Sequence, residues 1–189
     1  MPSTRVLLGT TFAVAALWPT SAAPGATRTA ERFLAPRAAC PGQANPSASL
    51  NEQATSLHCL VNWARRRHGL PRVGELPLLD RSALLRALAI RRCNDFSHTP
   101  CGQPFTAIFY AVGYLTLGGN AEVGENLAWG QGALGTARRT MRSWLSSPPH
   151  RANLFRAGWD DFGVSIVKAD RLSGAANVTI WVSQFGRRG

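Results

Sequence analysis

The chain has 189 residues, a length typical of one domain, and a formal net charge of +11 that comes almost entirely from arginine, since Lys168 is the only lysine. Its basic residues are scattered rather than gathered into a tract with interleaved aromatics, which argues against nucleic-acid binding. An arginine-rich composition is also what GC-biased coding produces, so the charge alone identifies no partner.

The first 25 residues are typical of a secretory signal peptide. Arg5 is followed by an apolar run over residues 6–18 and by small residues at 20–23. The run is too short to span a bilayer comfortably, although an N-terminal anchor is the alternative. No later segment is apolar enough to cross a membrane. We therefore expect a secreted or envelope-associated protein, drawn to anionic lipids, wall polymers or acidic glycans.

The segment after the signal peptide is predicted to be a disordered linker. Residues 26–49 are rich in Ala, Pro, Ser and Gly and show little apolar periodicity. The folded domain is therefore expected at residues 50–189, and we expect it to be a monomer.

The four cysteines are an even number in an exported chain, which favours two disulfides. Three pairings are open. We favour Cys93–Cys101, which closes a short loop around His98, and this leaves Cys40–Cys59 to pin the N-terminal segment to the first helix. A zinc cluster of four thiolates is the rival, but the sequence has no CxxC pair.

The first predicted helix covers residues 51–68, where apolar residues recur at helical spacing and arginines follow towards the C-terminal end. Gly69 ends it. On this helix His58 is predicted to pack and His68 to lie beside the helix end, and neither is predicted to be a ligand.

A second helix is predicted from an N-cap at Asp80 to about Asn94, and His98 follows in a loop. The side chains predicted to form its buried stripe are Leu84, Leu85, Leu88 and Ala89.

The middle of the chain is predicted to contain a short helix over residues 105–112, a strand or loop over residues 122–127, and a helix over residues 136–146. That last helix should turn Trp144 inward and end at Pro148-Pro149.

Residues 164–167 and 178–185 are predicted to be two strands of a hairpin with a polar loop between them. Helices first and paired strands last indicate an α+β fold, with helices covering the sheet in three layers.

Four ionisable residues lie in specific local contexts: His98 in Phe-Ser-His-Thr, Glu125 in Gly-Glu-Asn-Leu-Ala, His150 in Ser-Pro-Pro-His-Arg-Ala-Asn-Leu, and Asp161 in Trp-Asp-Asp-Phe-Gly. Two imidazoles and two carboxylates suit a divalent-cation site or an acid/base cluster.

A series of motifs over about residues 50–187 resembles the bacterial, SCP-like extracellular branch of the CAP superfamily. This superfamily contains cysteine-rich secretory proteins, venom antigen 5 and plant pathogenesis-related proteins. The motifs, in family order, are Leu60-Val61-Asn62, His68-Gly69-Leu70-Pro71, Phe96-Ser97-His98, Gly113-Tyr114, Gly124-Glu125-Asn126-Leu127-Ala128, Trp144-x-x-Ser147-Pro148-x-His150-Arg151-x-Asn153-Leu154, Phe162-Gly163-Val164 and Trp181 with Phe185-Gly186.

The resemblance implies a three-layer α-β-α sandwich with a central cleft, in which His98, Glu125, His150 and Asp161 converge. Asp161 stands where the family more often has Glu, and Asp160 beside it is an alternative. Ser183-Gln184 also departs from the residues that usually precede the final Phe-Gly.

The tetrad is a candidate site for zinc or another divalent cation, with His98, His150, Glu125 and Asp161 as ligands. Protons would compete with the metal, so affinity should fall below about pH 6. A structural role is the alternative: backbone amides near its loop would hold Glu125, and His150 would close off the Trp144 helix. Loop-buttressing roles are predicted for Asn126, Arg151 and Asn153.

Two classes of function follow. The first is a binding module that captures a lipid, a sterol-like molecule, a glycan or a partner, and it is the role that the resemblance favours. The second is a metal-assisted hydrolase with Glu125 as general base. Ser97 is a weak candidate nucleophile, because no GxSxG elbow is present.

Overall fold

The computed structural model describes residues 30–189, so the predicted signal peptide at residues 1–25 lies outside the described residues. The main elements, in chain order, are α1 (Leu50–Arg67), β1 (Gly74–Glu75), α2 (Pro77–Cys93), α3 (Ala107–Ala111), β2 (Ala121–Gln131), α4 (Ala137–Ser146), α5 (Pro148–Leu154), β3 (Asp161–Leu172) and β4 (Ala175–Arg188).

The four strands form one mixed sheet in the order β1-β3-β4-β2, with β1 parallel to β3 and the other neighbours antiparallel. The predicted hairpin of β3 and β4 is confirmed, and both strands are longer than predicted. Ser173 and Gly174 have φ values of 50° and 85°, which a two-residue turn between twisted antiparallel strands requires.

Helices cover both faces of the sheet, which confirms the three-layer α-β-α architecture. Because side chains alternate along a strand, Phe162 and Trp181 pack on one face in a core that includes Leu60 of α1 and Trp144 of α4. The opposite face forms a second core, in which Val167 and other strand residues pack under α2. The inward position predicted for Trp144 is confirmed, since this side chain is fully buried.

The predicted start and buried face of α2 are wrong. The helix begins at Pro77, a residue suited to a first turn, and the Asp80 carboxylate accepts a hydrogen bond from Val164 N at 2.8 Å instead of capping the helix. Leu84 and Leu85 are 40% and 37% exposed. The side chains that α2 buries are Leu79, Ser82, Ala83, Arg86, Ala87 and Ile90. Two members of this face, Ser82 and Arg86, are polar, so an apolar pattern could not predict it.

The predicted first helix is confirmed to within one residue at each end. Ser49 and Glu52 form a reciprocal capping box at its start. His58 stacks on Phe162, with ring centroids 5.4 Å apart, and His68 is the C-cap. These positions match the packing and helix-end roles predicted for the two histidines.

Residues 30–49 do not behave as the disordered linker that their composition predicts. Phe33, Leu34 and Ala35 are buried in the core beside α1. Gln43 is also buried and donates to Pro36 O at 2.9 Å. The buried side chains of Phe33 and Leu34 and the Cys40–Cys59 disulfide hold this segment in place. The segment has no apolar periodicity of its own.

Between α2 and β3 the structure adds one helix to those predicted. Pro148-Pro149 does end α4, but it also begins α5, where prolines are tolerated because first-turn N–H groups have no helical partner. The segment predicted to be a strand or loop over residues 122–127 is a strand, which runs from Ala121 to Gln131, and the short helix α3 covers only Ala107–Ala111.

Both favoured disulfides are present: Cys40 pairs with Cys59 and Cys93 with Cys101, with Cα–Cα distances of 5.7 Å and 5.5 Å. No helix within residues 30–189 has the length and apolar character needed to cross a bilayer.

Candidate functional site

The Glu125 carboxylate is the centre of a buried polar network. Glu125 lies on β2 with a fully buried side chain, and its Oε1 accepts from His98 Nδ1 at 2.8 Å. Its Oε2 accepts from Arg86 Nε at 3.1 Å and from Gln184 Nε2 at 2.9 Å. Both oxygens are therefore engaged by side chains, rather than by the backbone amides that the structural alternative invoked.

Sheet register explains why Gln184 reaches Glu125. The two residues are direct cross-strand partners on β4 and β2, and such partners have Cβ atoms about 5 Å apart on the same face. Ser82 of α2 donates its hydroxyl proton to Gln184 Oε1, which fixes the amide so that its nitrogen points to Glu125.

Arg86 approaches the carboxylate from α2. Its side chain is 1% exposed, and its Nη2 also donates to Phe105 O at 2.6 Å. The close approach of α2 to the sheet depends on Gly163, because a Cβ there would overlap the helix backbone at Leu79 and Asp80. A glycine on β3 thus allows a helix to bring a cation to a carboxylate on β2.

Ser82, Arg86 and Gln184 were not among the site residues predicted from the sequence. Ser82 and Arg86 are four residues apart, so both lie on one helical face. The four-residue spacing could have indicated a polar buried face of α2. It was not recognised because Leu84 and Leu85 were predicted to form the buried face.

His98 lies in the loop that the Cys93–Cys101 disulfide closes, as predicted. Its side chain is 39% exposed, and its ring meets Phe105 edge-on at 6.2 Å between centroids. A carboxylate can only accept, so the proton on this hydrogen bond belongs to His98 Nδ1. Nε2 has no hydrogen-bond partner among the described residues.

His150 comes from the opposite helical layer, in the first turn of α5. Its Nδ1 lies 2.8 Å from Ser147 Oγ. Burial, with the nearby charge of His98 as the second cause, lowers the pKa of His150 to about 4. The ring is therefore neutral at pH 7, and the two predicted histidines are close enough for one to affect the other's charge.

Asp161 is engaged elsewhere. Tyr114 donates its hydroxyl proton to Asp161 Oδ2 at 2.9 Å, and Arg188 Nε lies 3.6 Å from the same oxygen. Burial, strengthened by this hydrogen bond, raises the pKa of Tyr114 well above its usual value. The alternative Asp160 is exposed and lies 4.0 Å from Arg187.

The structure therefore joins His98 to Glu125 by a hydrogen bond and holds Asp161 at Tyr114, while His150 is linked to this group only through the electrostatic effect of His98. Asp161 is on β3 and Glu125 on β2, with β4 between them, a separation of roughly 10 Å across the strands. No group of three or more His, Cys, Asp or Glu side chains within residues 30–189 is arranged to hold a metal ion. With Asp161 held at Tyr114, the four expected ligands do not meet at one point in this geometry.

The predicted loop-buttressing residues make such contacts. Asn126 Nδ2 donates to His150 O at 3.2 Å, and Asn153 Nδ2 donates to Asn126 Oδ1 at 3.1 Å. Arg151 Nη1 donates to Leu145 O at 2.8 Å. These bonds tie α5 to β2 and α4 and so place His150 at the edge strand.

The chain matches the sequence model of one protein family. Residues 59–185 match the sequence model described as "CAP: Cysteine-rich secretory protein family". No curated protein gives a match.

Three solved bacterial structures are similar in fold. An extracellular SCP-domain protein of Bacillus anthracis has a TM-score of 0.58 at 21% identity, over 73% of this chain and 41% of its own. An outer surface protein of Borrelia burgdorferi has a TM-score of 0.60 at 21% identity, over 75% and 97%. A cysteine-rich secretory protein of Staphylococcus aureus has a TM-score of 0.55 at 17% identity, over 76% and 40%. The chain thus spans about two fifths of two of these proteins and nearly all of the third.

Proposed function

Because the chain belongs to the cysteine-rich secretory protein (CAP) family, we propose that it is an exported binding domain that holds a small ligand between His98 and His150 beside β2. The ligand class that the family likeness favours is a lipid, a glycan or a protein partner. Export is supported by the signal-peptide pattern of residues 1–25, by two disulfides, and by relatives described as extracellular or outer-surface proteins.

One observation carries the choice of binding over catalysis: Glu125 is buried, and both of its oxygens accept hydrogen bonds from neighbouring side chains. A general base must lie within hydrogen-bond reach of the proton that it removes, and the Glu125 side chain is 0% exposed, so a substrate could not reach its carboxylate directly. Glu125 instead orients the His98 ring, so the imidazoles are the groups left to meet a ligand.

A metal-dependent hydrolase on the same tetrad is the second candidate. It is favoured by the anchoring of both Nδ1 atoms, since ligating histidines are commonly oriented through their other ring nitrogen. It is opposed by the engagement of Glu125 and Asp161 elsewhere. Zinc binding stays a prediction that experiment decides.

The first test is the metal content and zinc affinity of the mature, oxidised protein, with His98→Ala alongside. Stoichiometric zinc that is lost in the variant would support the hydrolase and call for a hydrolase screen. Without zinc binding, the screen moves to lipids and wall glycans, and the proposal requires that His98→Ala weaken capture of the ligand that is found. Capture unaffected by His98→Ala would contradict a binding site at this histidine.

A further inference from the structure

One face of α1 carries a row of residues that form a surface pocket away from the Glu125 network. The row runs from Thr55 to Arg66 at helical spacing, so its members lie above one another on the helix. Arg72, in the segment between α1 and β1, completes the pocket, which has a volume of about 190 Å³. The residues that line it are Thr55, His58, Cys59, Asn62, Arg66 and Arg72.

Asn62 holds the segment that carries Arg72 against the helix. Its side chain is buried, its Oδ1 accepts from Val73 N at 2.9 Å, and its Nδ2 donates to Val73 O at 3.1 Å. Both backbone groups of the residue after Arg72 are thus fixed. The disulfide between Cys59 and Cys40 adds a covalent tie on the same face of α1. The walls of the pocket are therefore in place without a ligand.

Arg66 is positioned by an aromatic ring. Its Cζ lies over the Trp63 ring, 5.6 Å from the ring centroid, and Trp63 is itself half-buried against the core. The five N–H donors of a guanidinium point outward in the plane of the group, so stacking on a ring leaves them available. The ring contact thus restrains the side chain and keeps its donors.

The donors around the pocket lack acceptors from the protein. Within residues 30–189, neither the Thr55 hydroxyl nor the Arg66 and Arg72 guanidiniums make a hydrogen bond, and no carboxylate pairs with either arginine. Both arginines are exposed and permanently charged. Two cations without counter-ions and a hydroxyl around one pocket favour an oxyanion as the ligand.

The acidic residues near the pocket do not neutralise the arginines. Glu75 is 60% exposed, and its Oε2 lies 3.6 Å from His58 Nδ1, at the border of the pocket. Asp80, whose charge also acts on His58, is half-buried and accepts from Val164 N. Neither carboxylate lines the pocket, so the lining residues keep their net positive charge.

We infer that this pocket binds a phosphate group, with Arg66 and Arg72 donating to its oxygens and Thr55 donating from the helix. Phosphate offers at least three strong acceptor oxygens in a tetrahedral arrangement, whereas a carboxylate offers two in one plane. Donors from a helix and from a separate segment therefore suit phosphate better. The site goes beyond the proposed function, and free phosphate, a glycerol phosphate polymer or a phospholipid headgroup presents the same chemistry.

The test is a titration of the mature, oxidised protein with inorganic phosphate at constant ionic strength, followed by its imidazole and indole resonances. His58 lines the pocket and Trp63 supports Arg66, so we expect both to shift saturably. His98 and His150 should not move. Acetate at the same ionic strength should give no saturable shift.

The chain offers a matched control for charge. Arg66→Gln and Arg72→Gln each remove a charge-assisted donor and should weaken phosphate binding by about tenfold. Arg67 is exposed and does not line the pocket, so Arg67→Gln should keep the affinity within about twofold. Equal weakening in all three variants would overturn the inference in favour of general charge attraction. Arg72→Gln decides the question even if Arg66→Gln disturbs the helix.

Two further probes distinguish the sources of the phosphate. Sedimentation with phosphatidylglycerol vesicles that Arg72→Gln abolishes would assign the site to a lipid headgroup. Saturable binding of glycerol 1-phosphate without vesicle binding would assign it to a free or polymeric phosphate.

Acetate binding as tight as phosphate binding would overturn the phosphate class. The inference also fails if phosphate, glycerol 1-phosphate and vesicles all leave the wild type unchanged. Since His98 and His150 are followed in the same titration, that failure would leave the ligand site proposed at His98 to its own test.

Discussion

At the scale of single residues, Glu125 depends on its counter-cation. Glu125→Gln keeps the shape of the side chain but leaves Arg86 buried and unpaired. Removal of one partner from a buried pair typically costs about 3–5 kcal/mol. We therefore expect a loss of that size in urea unfolding, with partial recovery in Arg86→Met/Glu125→Gln.

A matched control lies on the same strand. Glu122 pairs with Arg156 at 2.6 Å, but both side chains are partly exposed, at 26% and 36%. Such a pair is worth less than about 1 kcal/mol, so Glu122→Gln should cost little. Equal losses in the two Gln variants would show that burial of the Arg86–Glu125 pair has no special energetic weight.

His150 makes the fold sensitive to acid. Its pKa is about 4 in the folded chain and about 6.5 when unfolded, so the unfolded state binds the extra proton between these values. Stability is thus unaffected above about pH 6.5 and falls as pH drops towards 4, by roughly 3 kcal/mol from this residue. Urea unfolding across this range should show the loss.

His150→Gln removes the titrating group, so its stability should fall less steeply between about pH 6.5 and pH 4. If the His150 variant and the wild type had parallel pH profiles, the lowered pKa of His150 would be contradicted.

Only some residues of the candidate site could be predicted from the sequence. His98, Glu125 and His150 could be selected because each lies in a short specific motif. Their partners could not, since Gln184 meets Glu125 only through the β2–β4 register and Arg86 only through the packing of α2 on Gly163. Neither the β2–β4 register nor the packing of α2 on Gly163 can be read from the short motifs around His98, Glu125 and His150.

At the scale of elements, the loop that bears His98 is held by the Cys93–Cys101 disulfide. Cys93→Ser/Cys101→Ser should increase hydrogen exchange in residues 94–101 and broaden the His98 resonance, because the unlinked loop regains conformational freedom. Free-thiol counting on the wild-type protein should find none.

The second disulfide provides the comparison. Cys40→Ser/Cys59→Ser opens a loop with a sequence separation of 19, which should lower global stability by about 3 kcal/mol. It should leave exchange in residues 94–101 near the wild-type rate. The idea that Cys93–Cys101 serves His98 would fail if both double variants loosened that loop alike.

The element boundaries show which local signals decide a fold. The capping box at Ser49 and the turn at Gly174 are local, and the elements beside them were predicted well. The buried face of α2 was predicted wrongly, because Leu84 and Leu85 were assumed to be buried. In this helix the sheet-facing positions include Ser82 and Arg86, which hydrogen bonding makes tolerable in the interior.

At the scale of the whole molecule, the folded body begins before the domain boundary predicted from composition. A chain starting at Leu50 loses Phe33, Leu34 and the Cys40–Cys59 bridge. Burial of each large apolar side chain contributes about 1.5–3 kcal/mol. We expect this truncation to lower the thermal midpoint by far more than Cys40→Ser/Cys59→Ser does in the longer chain.

The two arms of that experiment separate packing from cross-linking. Arg138 Nη1 donates to Ala35 O at 2.7 Å and to Gln43 Oε1 at 2.6 Å, so the truncation also removes partners from a half-buried guanidinium. Equal thermal midpoints for the truncated and the disulfide-free proteins would mean that residues 30–49 contribute only their bridge.

The segment carrying His98 is fastened twice, by the disulfide at Cys101 and by the hydrogen bond from Arg86 to Phe105 O. This segment is therefore already ordered when the chain has folded, before any ligand binds. Ligand binding should therefore cost little conformational entropy at this loop. Complex formation should follow a single exponential, with a rate constant that rises linearly with ligand concentration. The tightness of any complex would be set mainly by how slowly the ligand leaves.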